Sequence, residues 1–411
     1  MKKTLLYSFS LLALGASMVS CSEEDNDAPD NIDNPRGRIE LSEAEATIMK
    51  SNRSFSFKLL DAANNAMQEN EQFVLSPMSA SFALSMLLNG AGSETLENSL
   101  NELGLSGNTI EELNAINHKL LGEINTLDKR ASVEFANSLW LNDGSTPETS
   151  YINTIKELYN GSVQNKDFAS SGTLKSINNW CSNATKGNIK ELLKELDPKS
   201  KMLLINALYF KAPWEKNFKS SNKDVFNTIS GEQQQVAYME NTLYAKYYDN
   251  GKSNVVTLPY GNSAFNFSIL LPNEGVSLDE CIAELANEDW IAEYEYPRTV
   301  ELSIKMPKFE VKGLYDFVSV LKAMGITEIF KENADYSKMF PAEQFVVNNV
   351  LQATTFKVDE KGSEGSAVTV VGGFSAPSGE SVKMVVNRPF LFFVRESSTG
   401  AILFVGKVGK I

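Results

Sequence analysis

The chain has 411 residues, with 38 Lys and Arg against 52 Asp and Glu and a formal net charge of -14. A chain this acidic is poorly suited to bind nucleic acid or heparin-like polyanions, which attract basic surfaces. Its length and its 42% content of hydrophobic residues are sufficient for one large domain with a real core.

The first twenty residues have the features of an export signal. Lys2 and Lys3 precede an apolar run from Leu5 to Leu14, which is too short to be a good membrane span. The window that ends at Cys21 resembles a bacterial lipobox and implies that Cys21 is lipidated, with simple secretion as the alternative. We therefore assign residues 1–20 to a lipoprotein signal peptide.

Residues 21–38 are acidic, contain proline and lack aromatic side chains, so we predict a disordered tether before a single domain at 39–411. The acidic cluster after Cys21 resembles the surface-export signal of Bacteroidetes lipoproteins. The expected location is the outer membrane, through a lipid anchor, facing the cell surface or the extracellular space.

The remaining cysteines, Cys181 and Cys281, could form one disulfide, but two buried free thiols are the favoured interpretation. No Cys/His spacing suits zinc. His118 is the only histidine and lies in a charged amphipathic stretch, without a G-x-S-x-G nucleophile motif to accompany it. A catalytic triad is therefore not expected.

The first half of the domain is predicted to contain several helices and an alternating strand over residues 133–142. Ser76 as N-cap and Pro77 at the first helical position begin an almost wholly apolar helix that reaches Leu88, so this helix should be buried. Other helices are expected within residues 39–70, from Ser93, within 112–127 and 151–159, and on both sides of a Thr-Lys-Gly break within 176–195.

Strand patterns dominate the second half. A long apolar strand turns at Pro213, and further strands follow between Phe226 and Gly275. Two strands around Pro307 precede a helix predicted from about Leu314 to Met324. The chain ends in an apolar hairpin, and the fold class is therefore α+β.

The stretch from Thr355 to Lys383 is the most informative. Thr355 to Asp359 reads as a half-buried strand, and residues 360–362 are not expected to close it with a tight turn. From Ser363 onward, one alternate set of residues is small or β-branched and the other holds the only charge, as in a strand with one buried face. The pattern indicates a loop that can become a strand, with an ordinary flexible loop as the alternative.

This stretch resembles the reactive-centre loop of the serpins. The hinge motif of that family is matched by Glu360, Lys361, Gly362, Ser363, Glu364, Gly365, Ser366 and Ala367, while Val368 ends the run of small residues one position early. The order of elements from about Ile48 to Val408 is also similar to that of the family. The resemblance implies a serpin fold with three β-sheets, about eight to nine helices and an exposed loop at about 360–381.

The resemblance also implies a region where the main sheet opens. The residues at the matching positions are Ser76, Ser79, Asn206, Trp214 and Gln352. At Gln352 the family usually has a histidine. A Gln amide both donates and accepts hydrogen bonds, so the network can be retained while its pH sensitivity should be lost.

The implied activity is suicide inhibition of serine proteases. The protease attacks the loop, an acyl-enzyme forms, and the cleaved loop inserts as a strand of roughly thirteen residues, near 43 Å long at about 3.3 Å per residue. The implied partners are serine proteases, or papain-like cysteine proteases as an alternative. A monomer without a cofactor is expected.

The reactive bond is expected at Ser375–Ala376, because Pro377 disfavours cleavage after Ala376. Ser375 suits an elastase-like pocket, and Phe374 suits the second pocket of papain-like enzymes. Cleavage at Phe374–Ser375 would suit a chymotrypsin-like enzyme, and Ser378–Gly379 is a further candidate. No Arg or Lys lies between Lys361 and Lys383, which disfavours trypsin-like targets. The rival interpretation, a non-inhibitory surface binding protein, predicts charges or prolines on the inward face of the hinge, and there are none.

Overall fold

The computed structural model describes residues 34–67, 71–286, 297–342, 344–363 and 381–411. Cys21 and the loop residues 364–380 lie outside these ranges, and so do the predictions made for Gly365, Ser366, Ala367 and the reactive-bond residues 374–376. Within the described ranges, no helix combines the length and the hydrophobicity that crossing a membrane requires.

Eight α-helices and two short 3-10 helices form within the described part of the chain. Ser42 and Thr109 each make a capping box with a glutamate three residues later, which fixes the starts of the first and fourth helices. The helices are α1 (Glu43–Ala66), α2 (Pro77–Leu88), α3 (Ser93–Glu102), α4 (Ile110–Glu123), α5 (Thr149–Tyr159), α6 (Ser171–Ala184), α7 (Leu278–Leu285), α8 (Phe317–Ala323) and the 3-10 segments Ile124–Thr126 and Glu328–Phe330.

The strands of the described residues form three sheets, so the predicted α+β class and serpin-like architecture are confirmed. The strands are β1 (Gln72–Leu75), β2 (Ser132–Asn142), β3 (Ser162–Lys166), β4 (Met202–Pro213), β5 (Lys219–Ser220), β6 (Asp224–Asn227), β7 (Gln233–Val236), β8 (Tyr238–Asp249), β9 (Ser253–Pro259), β10 (Phe265–Pro272), β11 (Arg298–Pro307), β12 (Phe309–Asp316), β13 (Val350–Asp359), β14 (Gly362–Ser363), β15 (Ser381–Val385), β16 (Phe390–Glu396) and β17 (Ile402–Val408).

The sheets differ in size and in strand order. A nine-stranded sheet has the order β1-β17-β16-β10-β9-β8-β11-β15, with β5 beside β8. A six-stranded sheet, called the main sheet below, has the order β12-β13-β14-β4-β2-β3, and β13 also pairs directly with β4. Strands β6 and β7 form the two-stranded sheet.

Aromatic rings fill the space between the two large sheets. The Phe356 ring of the main sheet stacks on Phe392 of the nine-stranded sheet, with ring centroids 4.8 Å apart, and Phe210 stacks on Phe356 at 6.3 Å. All three side chains are buried. Burial of this much aromatic surface holds the inner face of the main sheet in place.

The opposite face of the main sheet is covered by α6. Ile177 and Cys181 of this helix belong to an apolar cluster with Ile205 of β4, which is therefore buried on both faces. This explains why the sequence of β4 is apolar almost throughout. Cys181 and Cys281 are both free and buried, as expected, and burial raises the pKa of their thiols to about 12 and about 11.

Two element predictions were wrong. The segment after the Thr-Lys-Gly break is not helical, because Asn178 on α6 accepts hydrogen bonds from the amides of Leu192 and Leu193 and holds the segment against that helix. The helix predicted from Leu314 begins at Phe317, since β12 continues to Asp316, which then caps the helix.

Candidate strand-insertion site

Strands β4 and β13 of the main sheet are neighbours at one end and separated at the other. They pair in parallel from Leu204 opposite Val350 to Leu208 opposite Thr354. Farther along, β14 lies between them, antiparallel to both, with Ser363 opposite Val358 on one side and Ala212 on the other. The sheet is therefore closed at one end and already holds two residues of an additional strand at the other.

The region between these two pairings is called the insertion slot below. It is bounded by residues 209–211 of β4 and residues 355–357 of β13, and on this side neither segment has a strand partner within the described chain. A chain that continued from Ser363 in the same register would run along the slot. The slot is therefore the path by which a longer strand could enter the main sheet.

The hinge residues Glu360 and Lys361 form a tight turn between β13 and β14, so the prediction that no tight turn closes the strand was wrong. The turn is held by groups distant in sequence. The amides of Trp214 and Phe218 donate to the carbonyls of Lys361 and Glu360 at 3.0 and 2.9 Å. The Trp214 Nε1 donates to the Asp359 carbonyl at 2.9 Å.

Gly362 is required where β14 begins. Its φ is +146°, which L side chains rarely adopt, and a Cβ built there would lie 2.1 Å from the carbonyl oxygen of Ala212. Only glycine allows the chain to approach β4 this closely. The hinge therefore needs a glycine at position 362 for steric reasons, and this need arises only because β14 lies within the sheet.

Ser363 is fully buried and points toward the core. Its Oγ lies 2.6 Å from the Tyr260 hydroxyl, and the Tyr260 ring stacks on Trp214 with centroids 4.4 Å apart. Burial raises the pKa of the Tyr260 phenol, so this hydroxyl remains neutral and can share the hydrogen bond in either direction. Ser363, Tyr260 and Trp214 therefore connect the hinge to the nine-stranded sheet.

Glu360 is held at the outer end of the turn. It receives hydrogen bonds from Ser220 Oγ and from Lys308 Nζ, the latter at 3.0 Å. Partial burial alone would raise the pKa of the Glu360 carboxyl, but these donors hold that pKa below its usual value. The carboxylate is thus charged at neutral pH and fixes the turn to the strands beneath it.

The closed end of the strand pair contains buried polar side chains. Gln352 is only 1% exposed, and its amide makes two hydrogen bonds to one residue. Its Oε1 accepts from the Ser76 amide at 2.7 Å, and its Nε2 donates to the Ser76 carbonyl at 2.8 Å. The start of α2 is therefore fastened to β13 by a group that does not titrate.

Two polar atoms beside this fastening have no hydrogen-bond partner among the described residues: Ser79 Oγ and Asn206 Oδ1. The Nδ2 of Asn206 donates to Asn137 on β2, and Asn206 lies directly opposite Gln352 where β4 and β13 pair. Unpaired buried polar atoms are costly. The closed end thus has hydrogen-bonding capacity that the present arrangement does not use.

The residues selected from the sequence fall into two groups along one strand pair. Glu360, Gly362, Ser363 and Trp214 lie at the hinge end, and Ser76, Ser79, Asn206 and Gln352 lie at the closed end. Sequence reasoning missed Tyr260, Ser220 and Lys308. Nothing near these three residues in the sequence indicates that they contact a hinge about 50 to 140 residues later.

The structure thus combines a slot in the main sheet with the two-residue strand β14 at one end of that slot. The comparison with known families agrees. Residues 50–411 match the family described as Serpin (serine protease inhibitor). The chain belongs to the serpin family.

Individual relatives match over nearly their full length. Serpin B3 of Homo sapiens is 29% identical, with 88% of this chain and 98% of that protein covered. The plasma serine protease inhibitor of Homo sapiens is 30% identical, with 91% and 93% covered.

Two solved structures show the same fold. The thermophilic serpin tengpin in the native state superposes with a TM-score of 0.81 at 28% identity, covering 92% of this chain and 97% of that one. A thyroxine-binding globulin complex with thyroxine superposes with a TM-score of 0.77 at 25% identity, covering 89% and 99%. Members of this family generally bind and inhibit proteases rather than act as enzymes, and some relatives are binders without inhibitory activity.

Proposed function

We propose that this protein is a suicide-substrate inhibitor of endopeptidases, mainly serine proteases of elastase-like or chymotrypsin-like specificity. The observation that carries the proposal is β14, the two-residue strand that the hinge places between β4 and β13. An ordinary flexible loop has no reason to begin inside a sheet. A loop that inserts after cleavage starts from this position.

The proposed reaction begins as ordinary proteolysis. The protease nucleophile attacks the carbonyl carbon of Ser375, an acyl-enzyme ester forms there, and the amine of Ala376 leaves with the C-terminal part of the loop. The segment from Glu364 to Ser375 is then free at its cut end and can extend β14 through the slot. The attached protease is moved away and distorted before water releases it.

The register of β14 supports this path. Continued beyond Ser363, it would set Glu364 opposite Lys357 and Lys211 on the outward face, since Ser363 lies opposite Val358 and Ala212. It would set Gly365 opposite Phe356 and Phe210, whose rings are buried and stack on each other at 6.3 Å, so that a small residue suits this inward position better than a large one. The alternation of the loop therefore agrees with the faces of the strands that would receive it.

Inhibition requires insertion to be faster than hydrolysis of the acyl-enzyme. Gly365 and Ala367 would be inward positions of the inserted strand, where an unpaired charge or a proline is costly. Gly365→Arg or Ala367→Pro should therefore convert the inhibitor into a substrate that is cut and released. Either variant forming a detergent-resistant complex at wild-type stoichiometry would contradict the proposal.

The direct experiment mixes the protein with pancreatic or neutrophil elastase and with chymotrypsin. We expect a covalent band on a denaturing gel, and the mass of the released C-terminal peptide identifies the reactive bond. The cleaved protein should melt at a higher temperature than the intact protein, because the inserted strand adds backbone pairing on both sides. Equal melting temperatures would remove the driving force that inhibition needs.

The second candidate is a non-inhibitory binding protein, which is favoured by the similarity to a thyroxine-binding globulin that is solved with thyroxine. It predicts cleavage without a covalent complex and without a rise in melting temperature. Inhibition of papain-like cysteine proteases is a variant of the first candidate, and papain tests it in the same assay.

We also propose that the protein is exported and anchored through a lipid on Cys21, facing the cell surface or the extracellular space. The support is the signal-like residues 1–20 and the acidic stretch that follows. Cys21→Ser should release the protein from the membrane fraction in a labelled-palmitate experiment. Membrane retention and label incorporation unchanged by the substitution would contradict the anchor.

A further inference from the structure

A cleft of about 660 Å³ lies on the nine-stranded sheet where strands β5, β8, β11 and β15 meet. Four lysines line it: Lys216, Lys219, Lys305 and Lys383. We call it the lysine cleft. Among the described residues only two acidic ones, Asp224 and Glu240, line it with them, so this part of the surface is locally basic on a chain whose formal net charge is -14.

The strand register brings these lysines together from four different strands and loops. Lys219 of β5 and Lys305 of β11 both lie opposite Glu240 of β8, one on each side. Two residues earlier on β11, and therefore on the same face as Lys305, Ser303 lies opposite Lys383 of β15. Directly opposed residues share a face of a sheet, so Lys219, Lys305 and Lys383 point to the same side.

Two of the four lysines are already engaged. Lys305 forms an ion pair with Asp224 at 2.6 Å, and Lys216 Nζ donates to the carbonyl of Thr242 at 2.6 Å. Lys219 and Lys383 are exposed and form no ion pair within the described ranges. These two ammonium groups are therefore available to an acidic partner.

The cleft lies beside the point where the reactive loop returns to the fold. Strand β15 begins at Ser381, two residues before Lys383. The proposed reactive bond is five residues before Ser381, so it lies within about 18 Å of the start of β15 even if the chain is fully extended. A globular protease attached to that bond is wider than this distance, so its surface next to the active site is within reach of the cleft.

We propose that the lysine cleft is a docking site for an acidic surface next to the active site of the target protease. This inference rests on the proposed inhibitory function. The cleft would discriminate among target proteases by their surface charge, which the loop sequence does not do. Opposite charges raise the rate of encounter and favour partners with the complementary surface. Among proteases with equal preference for the loop, those with acidic residues on this side of the active site are inhibited faster.

The test reverses the two available charges with Lys219→Glu/Lys383→Glu. The measured quantity is the second-order rate constant of inhibition for the elastase or chymotrypsin that forms the covalent complex fastest, at low and at high salt. We expect about a tenfold decrease at low salt that shrinks at high salt, with unchanged stoichiometry. The conservative pair Lys219→Arg/Lys383→Arg should keep the wild-type rate.

The matched control is Lys156→Glu/Lys175→Glu, which makes the same change in net charge. Both residues are exposed, on helices α5 and α6, and α6 packs on the main sheet. A decrease of equal size in the control would attribute the effect to net charge and overturn the docking site. A salt-independent decrease, or a changed stoichiometry without a changed rate, would also overturn it.

A second measurement separates this inference from the proposed function. Binding of the same protease with its nucleophilic serine replaced by alanine needs no insertion, and its Kd should weaken about tenfold in the reversed variant. If weakened binding occurs without covalent inhibition by the active enzyme, the inhibitory function fails and the docking site stands. If the variant loses retention on a heparin column while its binding to the protease is unchanged, the cleft is a polyanion site and the inference is wrong.

Discussion

The two ends of the β4–β13 pair are built differently, although one strand would have to pass both. At the hinge end, β14 already separates the strands, and its contacts come from Trp214, Tyr260 and Lys308. At the closed end, the strands pair directly and Gln352 fastens one of them to Ser76. A strand that entered would therefore start from the hinge end, whereas the hydrogen bonds between β4 and β13 would have to break at the closed end.

This difference between the two ends indicates that the closed end would offer the main resistance to strand insertion. Moving β4 away from β13 breaks the ladder over five opposed residue pairs, from Val350 to Thr354 on β13. The unpaired atoms Ser79 Oγ and Asn206 Oδ1 lie at this end. An inserted strand would replace the lost ladder and could supply hydrogen-bond partners to Asn206. The closed end would therefore resist opening but form more hydrogen bonds once a strand had been inserted.

The largest expected effect comes from blocking the entrance. In Gly362→Val the added side chain would overlap the Ala212 carbonyl, and the backbone would be held at a φ that valine disfavours. We expect β14 to leave the sheet and the stoichiometry of inhibition to rise at least tenfold. Gly122→Val is the control, because a Cβ at Gly122 meets nothing within 4 Å.

The assay titrates elastase or chymotrypsin with each variant and scores the detergent-resistant complex. A wild-type stoichiometry for Gly362→Val would show that residue 362 need not enter the sheet. Equal losses of inhibition in both variants would point to general instability of the fold, and would argue against a specific role of the hinge end.

The second largest effect is expected from removing the hydrogen bonds between Gln352 and Ser76 at the closed end. Gln352→Ala leaves the Ser76 amide and carbonyl without their partner in a buried site, at a cost of about 2–4 kcal/mol for the two groups. The change should appear as a lower midpoint of urea unfolding. Gln164→Ala, on the outer strand β3 of the same sheet, should change stability by less than about 0.5 kcal/mol.

The same variant tests where resistance lies. With the fastening removed, the closed end should separate more easily, so the intact loop should insert more quickly during mild heating. Native gels and the loss of inhibitory activity over time measure this rate. A variant that is less stable yet inserts no faster would place the resistance in the apolar contacts of α6 instead.

A smaller effect is expected within the slot. Lys357→Glu places a negative charge where the continued register would bring Glu364, and the repulsion should slow insertion and raise the stoichiometry about two- to fivefold. The combination Lys357→Glu/Glu364→Lys should restore most of the loss. Lys166→Glu, exposed on β3, is the control, and failure of the charge swap to restore activity would argue against this register.

Much of the fold was accessible from the sequence because its signals are local. The Ser76–Pro77 start of α2, the apolar β4 and the second half of β13, from Thr355 to Asp359, each depend on neighbouring residues, and each was predicted. The wrong predictions have non-local causes. Asn178 prevents a helix after α6, and Trp214 and Phe218 create the turn at Glu360 through their backbone amides.

The candidate site divides in the same way. Glu360, Gly362 and Ser363 were found because the hinge motif is contiguous, and Ser76, Asn206 and Gln352 were found by resemblance. Tyr260 and Lys308 could not be found, since their role depends on how the two large sheets are packed. A tyrosine after a strand is common, and only the fold brings its hydroxyl to Ser363.

The smallest expected effect isolates that one hydrogen bond. Tyr260→Phe keeps the ring that stacks on Trp214 and removes the hydroxyl that meets Ser363, a loss of about 1 kcal/mol. Because the bond exists only while β14 is in the sheet, hydrogen exchange of the amides at 362 and 363 should quicken about fivefold. Tyr238→Phe is matched, since its hydroxyl donates to the Val225 carbonyl at 3.0 Å away from the hinge. It should lower stability by a similar amount and leave exchange at the hinge unchanged. Equal exchange in both variants would mean that Tyr260 supports only the packing of the sheets, and that the hinge end is held by the other contacts of the turn, those of Trp214, Phe218, Ser220 and Lys308.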